Sequence, residues 1–106
     1  MVKQRYMKYM SLIYQYLSWR NEIRKKKGQQ TSWCFTYEGI FSYIERNRNI
    51  IDVKRTTVER EIRNMVQKGL LDRKEFKDTV IFCLNKNSFR LLKEYFNSIT
   101  PEYENR

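Results

Sequence analysis

The sequence predicts one α+β domain, mostly helical, with a small three-stranded antiparallel sheet. Its 106 residues are enough for a single modest hydrophobic core. Apolar residues recur at helical spacing along several stretches, and short β-prone runs occur at 33–35 and on both sides of a tight connection within 70–84. The sequence contains no internal repeat, low-complexity segment or interdomain linker, so we expect 1–106 to form one unit.

The first predicted helix, at 4–27, carries two apolar stripes, whereas a helix that packs on one small core needs one. The second stripe indicates either a homodimer formed through the first and last helices, or cover by the C-terminal helix of the same chain. The basic run 24–27 before Gly28 suits the negative end of the helix dipole, and it either contacts a phosphate backbone or is solvated. One stripe is Tyr6, Met10, Ile13, Tyr14 and Leu17, and the other is Tyr9, Leu12, Tyr16, Trp19 and Ile23.

The remaining elements follow from cap and turn signals. Thr36 is expected to cap the second helix and Asn87 or Ser88 the last, which Thr100 and Pro101 then stop. In chain order the full set is helix 4–27, strand 33–35, helix 37–47, helix 54–68, hairpin 70–84, helix 88–99 and a frayed tail 100–106.

The helix at 54–68 has two chemically different faces. The sequence allows two N-terminal caps for this helix. One is a capping box formed by Thr56 and Glu59, and the other is an earlier cap by Asp52. The buried line is Val58, Ile62, Met65 and Val66, followed by Gly69 as a left-handed cap residue. The opposite face carries the side chains that donate to base edges and phosphates, which are Thr56, Arg60, Arg63, Asn64 and Gln67.

The segment Lys-Arg-Thr-Thr-Val-Glu-Arg-Glu-Ile-Arg-Asn-Met-Val-Gln-Lys-Gly-Leu-Leu at 54–71 resembles the recognition helix of winged helix-turn-helix regulators of the GntR and MarR type. In those families an Arg-x-Thr-Val segment opens the helix and a Lys-Gly-Leu-Leu or Lys-Gly-Leu-Ile end leads into the wing. The similarity extends over 51–84, although Lys54 replaces the usual Ser cap and the turn at 48–52 is longer and lacks the usual Gly. The resemblance implies that DNA contacts come from the opening of the helix, at Arg55, Thr56, Thr57 and Arg60.

The order helix, strand, helix, helix, strand, strand, helix is that of a winged helix with an extra C-terminal helix. In this fold the first short strand pairs with the second wing strand, which would bring Cys34 beside Cys83. The two cysteines would form either a disulfide or a pair of buried free thiols. The resemblance also implies that the wing holds phosphates through Arg73, Lys74 and Lys77, the alternative being a solvated hairpin tip.

The charge of the chain is unevenly distributed. Its 22 basic and 12 acidic residues give a net charge of +10, with +7 on 1–30 and +4 on 54–77. This pattern indicates a polyanionic partner, and a basic solvated surface is the alternative. Two acids within the helix, Glu59 and Glu61, either favour selective DNA binding by repelling phosphate or pair with Arg63 and compensate the helix dipole.

Several classes of function are disfavoured. The sequence has no His and no glycine-rich phosphate loop, so we expect neither an enzyme nor a cofactor, and two Cys without His are too few for a zinc site. No apolar run reaches the roughly 18–20 residues that cross a bilayer, and we expect no membrane association and a cytoplasmic protein. The poverty in Ala, Gly and Pro implies a low-GC genome, and the composition is similar to that of archaeal virus and plasmid proteins, in which case the compartment is the host cytoplasm.

The sequence therefore predicts a homodimeric transcription regulator that binds double-stranded DNA, with its recognition helix in the major groove and its wing on the flanking backbone. The dimer would read two related half-sites. One alternative is a winged-helix module for protein–protein interaction, and another is a replication-origin-binding protein of a virus or plasmid. The first prediction requires Arg60 and Arg63 to face open space, and it fails if they are locked in a subunit contact or face an acidic neighbour instead.

Overall fold

The computed structural model describes residues 4–99, which fold into four α-helices and a three-stranded antiparallel sheet. This confirms the predicted α+β class with mostly helical content. Each predicted helix and strand is present with its ends shifted by no more than two residues, and the predicted tail 100–106 lies outside the described residues. In chain order the elements are α1 (Gln4–Lys26), β1 (Cys34–Phe35), α2 (Tyr37–Arg46), α3 (Arg55–Gln67), β2 (Leu71–Phe76), β3 (Thr79–Leu84) and α4 (Lys86–Ile99).

The long helix α1 lies at the centre of the domain and packs against α2, α3 and α4. It can do so because apolar side chains cover most of its circumference, as its two predicted stripes require. The core contains the fully buried residues Met10, Ile13 and Leu17 of α1, Ile40 and Ile44 of α2, Val58, Ile62 and Met65 of α3, and Phe35 and Leu71 of the sheet.

Both stripes of α1 find partners within the same chain. In the second stripe, the buried Tyr16 ring lies 5.2 Å from the ring of Tyr43 on α2. In the first stripe, Tyr14 stacks on Trp33 at 5.5 Å and approaches Phe96 of α4 at 6.0 Å. The part of the second stripe formed by Tyr16 and Trp19 thus packs on α2, so this part needs neither the C-terminal helix nor a second copy of the chain. The homodimer therefore stays a prediction, and this part of the second apolar stripe of α1 no longer supports it.

The sheet has the strand order β1-β3-β2, and both pairings are antiparallel. The first short strand therefore pairs with the second hairpin strand, as predicted. Cys34 lies directly opposite Cys83, and the two side chains form a disulfide with Cα atoms 4.0 Å apart. The Leu84 N–H donates to the carbonyl of Trp33 at 3.0 Å, which makes the cysteines a non-hydrogen-bonded pair, the position where antiparallel Cα atoms are closest.

Helix α3 ends as predicted, in a left-handed glycine. Gly69 has φ +75°. The Leu70 N–H donates to the Met65 carbonyl at 2.8 Å, and the Gly69 N–H donates to the Val66 carbonyl at 3.1 Å. This is the Schellman arrangement, and it turns the chain sharply from α3 into β2.

Helix α3 starts within one residue of the predicted position, but neither predicted cap is used. Helix α3 begins at Arg55, and Lys54 occupies the cap position without a side-chain hydrogen bond to the described residues. Thr56 therefore lies inside the first turn and does not cap the helix, nor does Asp52. The carboxylate of Glu59, expected to complete a capping box, instead pairs with Arg63 at 3.0 Å.

Of the capping residues predicted for the other helices, the one for α2 is correct and the ones for α4 are wrong. Thr36 caps α2, since its hydroxyl accepts from the Gly39 N–H at 3.1 Å. Helix α4 begins at Lys86, before either predicted cap. Its cap is Asn85, whose Oδ1 accepts from the N–H of Ser88 at 3.0 Å while its own N–H donates to the Ser88 hydroxyl at 2.7 Å. This reciprocal pair satisfies two backbone donors at once.

Candidate nucleic-acid interface

Helix α3 separates its two faces as the helical spacing predicts. Val58, Ile62 and Met65 are buried in the core and Val66 packs partly against it. On the other side, the side chains of Arg60 and Arg63 are each 60% exposed. Of the remaining predicted contact residues on this helix, Thr56 and Gln67 are exposed, whereas Thr57 and Asn64 are half-buried.

Each of these arginines has a carboxylate neighbour on its own helix. Arg63 forms an i,i+4 ion pair with Glu59 at 3.0 Å, and the Nε of Arg60 lies 3.5 Å from the carboxylate of Glu61. The exposed pair of Arg63 with Glu59 contributes roughly 0–1 kcal/mol, so a phosphate can displace that carboxylate from the guanidinium. Glu61 is itself buried, with 3% of its side chain exposed, so it does not stand on the outward face beside Glu59.

Arg55 lies apart from Arg60 and Arg63. Its guanidinium sits over the ring of Phe41 on α2, 4.7 Å from the ring centroid. Arg55 and Phe41 line a shallow cleft together with the acidic residues Glu38 and Glu45. Arg55 therefore anchors the start of α3 to α2 through a cation–π contact, in addition to being exposed at the surface.

The β2–β3 hairpin divides its three basic residues among different surfaces. Residues directly opposite each other share a face of the sheet, and the faces alternate along a strand. Arg73 is opposite Phe82, on the face toward α3, while Lys74 is opposite Ile81, on the other face. Lys77 occupies the tip with φ +53°. The three residues therefore do not share one surface, and their contact with phosphates stays a prediction.

A cleft of about 420 Å³ separates α3 from the inner face of the hairpin. It brings together Arg63 and Gln67 of α3 and Arg73 of β2, which are three of the predicted DNA-binding residues. We call it the α3–hairpin cleft. Its lining consists of Tyr37, Glu59, Arg63, Val66, Gln67, Arg73, Val80 and Phe82.

Tyr37 is a residue of this cleft that the sequence analysis missed. The pKa of its phenol is raised, first by burial and then by the negative charge of Glu59, with Arg63 and Arg73 acting in the opposite direction. Its ring packs on Phe82 with centroids 4.8 Å apart. Tyr37 therefore lines the cleft with a phenol whose charge state is influenced by Glu59, Arg63 and Arg73. The sequence offered one indication that Tyr37 lies near the sheet. It directly follows the predicted cap Thr36, and the first residue of α2 adjoins strand β1.

A set of hydrogen bonds fixes the hairpin relative to α3. The side-chain amides of Asn85 and Asn87 donate to the Gly69 carbonyl at 3.2 and 3.0 Å. The hydroxyl of Ser88, which is 0% exposed, donates to the Leu70 carbonyl at 2.6 Å. The first turn of α4 thus holds the backbone at the junction of α3 and β2, and this positions Arg73 across from Arg63.

The basic end of α1 belongs to a different part of the surface. Lys25 lines a second cleft, of about 340 Å³, together with Thr31 and Trp33. Just before this end, the Arg20 guanidinium donates to the Ser32 carbonyl at 3.0 Å, which ties α1 to the segment that leads into β1. The two basic segments found in the sequence therefore line separate clefts.

The chain matches no protein-family model, no curated protein and no solved structure. Among residues 4–99 there is no cluster of His, Cys, Asp or Glu that could hold a metal ion. No helix in that range is long and apolar enough to cross a membrane. Fold and site together define a small α+β protein with an arginine-lined cleft between a helix and a β-hairpin.

Proposed function

We propose that this chain is a winged helix-turn-helix protein that binds double-stranded DNA sequence-specifically as a transcription regulator. The observation that carries the proposal is the α3–hairpin cleft, where Arg63 and Gln67 on an exposed helix face stand across from Arg73 on the hairpin. The element order and the sheet order β1-β3-β2 support the fold assignment. In this assignment α2 and α3 are the helix-turn-helix and the hairpin is the wing.

The exposed face of α3 supplies the base contacts. Arg60 and Gln67 point away from the core and carry the two side-chain types that bind guanine and adenine edges in bidentate fashion. Each such contact discriminates against the wrong base by roughly 1–3 kcal/mol. Thr56, exposed in the first turn, adds a hydroxyl that accepts or donates at the edge of a neighbouring base.

The α3–hairpin cleft supplies the phosphate contact. Arg63 of α3 and Arg73 of β2 line it, together with Tyr37 of α2, whose hydroxyl can donate to a phosphate oxygen. Guanidinium groups hold phosphate with two parallel hydrogen bonds, which fixes the register of the protein on the duplex. Binding a phosphate here requires Arg63 to exchange Glu59 for the DNA backbone. Affinity then falls steeply with salt, because phosphate neutralisation releases counterions.

Homodimerisation through α1 and α4 remains part of the proposal. The support for it is a line of partly exposed rings on one side of the domain, formed by Trp33 with Phe89 and Phe96 of α4. A dimer would place two copies of α3 about 34 Å apart, one turn of DNA. Analytical sedimentation at micromolar concentration tests this. A protein that is monomeric at all concentrations would contradict binding to two half-sites, but it would leave the proposed binding to a single site unaffected.

Charge reversal separates DNA binding from a role in protein–protein contact. Arg60→Glu and Arg63→Glu, made singly, are expected to weaken binding to a selected duplex by at least about tenfold at moderate salt. The matched control is Arg90→Glu, which makes the same charge change at an exposed position of α4. Unchanged duplex affinity in both α3 variants would contradict the proposal and favour the interaction module. A replication-origin binder uses the same contacts, so mapping selected duplexes to the source genome distinguishes it from a regulator.

A further inference from the structure

The tip of the β2–β3 hairpin is exposed on both strands. Leu71 at the base of β2 is buried, but every later residue of that strand is exposed, and burial in β3 is confined to its end near Phe82. Phe76 lies three residues beyond Arg73, the residue paired with Phe82. Between Phe82 and the tip, Val80 and Ile81 are half-buried and Val80 packs against the core, so the part of the hairpin that is exposed on both strands is 76–79.

The tip carries a large aromatic side chain in water. Phe76 is 63% exposed, and the residue opposite it, Thr79, is exposed as well. The Nζ of Lys77 lies 5.5 Å from the centroid of the ring. Removing a phenyl side chain from water contributes roughly 1.5–3 kcal/mol, so this ring gains most from a partner that encloses it.

The turn keeps a lysine where the backbone disfavours one. Lys77 has φ +53°, a conformation that two-residue hairpin turns require and that Gly, Asn or Asp adopts with less strain. A residue with a side chain pays roughly 1–2 kcal/mol there. The lysine places a cation at the tip, next to Phe76, and Lys74 lies on the same outer face as the ring.

Net charge alone does not hold this hairpin to DNA. Its basic residues Arg73, Lys74 and Lys77 are balanced by Asp72, Glu75 and Asp78, so 71–84 has a net charge of zero. What the tip offers a duplex is therefore an apolar ring between two lysines. Apolar side chains of this kind enter the minor groove and separate adjacent base pairs in DNA-bending proteins.

Building on the proposed DNA binding, we propose that Phe76 is a wedge that inserts between two base pairs from the minor groove and kinks the duplex. Phenylalanine is one of the apolar side chains that act as such wedges in the minor groove, and Phe76 lies at the exposed end of the hairpin. Lys74 and Lys77 bind the phosphates on either side of the opened step. Pyrimidine–purine steps such as TA and CA unstack most readily, so the target includes one beside the bases that α3 reads.

The test uses duplexes that the wild-type protein selects from a random pool. End-labelled duplexes report bending by energy transfer, and 2-aminopurine placed at the pyrimidine–purine step reports unstacking by a rise in fluorescence. We expect the wild-type protein and Phe76→Leu to bend the duplex by roughly 20–90° and to raise the fluorescence. Phe76→Ala is expected to leave it nearly straight, to bind about fivefold more weakly, and to lose the preference for that step while keeping the preferences of α3. Ile50→Ala, which removes another exposed apolar side chain (77%), is the control and keeps the bend.

The outcomes separate this inference from the proposed function. Duplexes bound by the wild-type protein without bending or unstacking overturn the wedge and leave DNA binding standing. If Phe76→Ala bends the duplex as much as the wild-type protein does, the wedge is likewise overturned and DNA binding still stands. If the wild-type protein retains no duplex at all, both the wedge and the proposed function are wrong.

Discussion

The carboxylate of Glu59 lies 3.0 Å from the guanidinium of Arg63, one helical turn away on α3, and both side chains line the α3–hairpin cleft. Both are largely solvent-exposed, so the ion pair contributes little to folding. Its main effect is on what else can bind Arg63. A phosphate entering the cleft must displace Glu59 and then remain close to its negative charge.

Glu59→Gln is therefore expected to tighten binding to duplex DNA. The amide frees Arg63 and removes a charge that repels phosphate, which we expect to lower the dissociation constant by about fivefold. Fluorescence anisotropy at physiological ionic strength measures this. Glu94→Gln on α4 loses the same charge at an exposed position and serves as the control. Weaker binding by Glu59→Gln than by the wild type would mean that Arg63 does not meet phosphate.

The disulfide between Cys34 and Cys83 is expected to stabilise the fold without affecting DNA binding. It ties the two-residue strand β1 to β3 across a sequence separation of 49 residues. Loop-closure entropy gives a stabilisation of about 4 kcal/mol for such a link. Denaturant unfolding of the Cys34→Ser, Cys83→Ser double variant measures the loss, and its duplex affinity should equal that of the wild type.

Alkylation followed by mass spectrometry checks the bond directly. The unreduced protein should take up no label at Cys34 or Cys83, and label at both should appear after reduction. Two labelled thiols without reductant would show that the bridge is absent in solution, and the stability difference between wild type and double variant should then vanish.

Most of the fold was predictable because helix α3 and the hairpin are specified locally. The spacing of Val58, Ile62 and Met65 determines which face of α3 is buried, and Gly69 alone supplies the left-handed turn into β2. The cap of α4 was not predictable in this way. Asn85, Asn87 and Ser88 are all capable caps, and the choice depends on hydrogen bonds to Gly69 and Leu70, which are distant in sequence.

The site was predictable in part, for a similar reason. Helical geometry alone placed Arg60, Arg63 and Gln67 on the exposed face of α3. The position of Arg73 toward α3 and of Lys74 away from it depends on strand register, and a shift of one residue would exchange them. Tyr37 was missed because it is brought to the cleft by the packing of α2 on the sheet.

Ser88→Ala is expected to destabilise the junction of α3 and the hairpin. The hydroxyl is fully buried, accepts from the Asn85 N–H and donates to the Leu70 carbonyl, and its loss leaves both groups without that partner. Such a loss costs about 1–3 kcal/mol. Ser11→Ala is the matched control, because the buried hydroxyl of Ser11 has no hydrogen-bond partner among the described residues. Denaturant unfolding should show a change within about 0.5 kcal/mol for Ser11→Ala; an equal loss in both variants would contradict the role of Ser88.

The phenol of Tyr37 is expected to titrate above its ordinary pKa of 10.0 because it is partly buried and lies near Glu59. A pKa raised by folding favours the protonated form in the native state, so this contribution to stability is present below pH 10.0 and is lost as pH rises through the folded pKa. The free energy of unfolding should therefore fall more steeply in the alkaline range for the wild type than for Tyr37→Phe. Carbon-13 labelling of the tyrosine rings, with Tyr37→Phe to assign the signal, measures the pKa itself. Glu59→Gln should lower that pKa and a bound duplex phosphate should raise it; a Tyr37 signal unaffected by DNA would place the phosphate contact outside the α3–hairpin cleft.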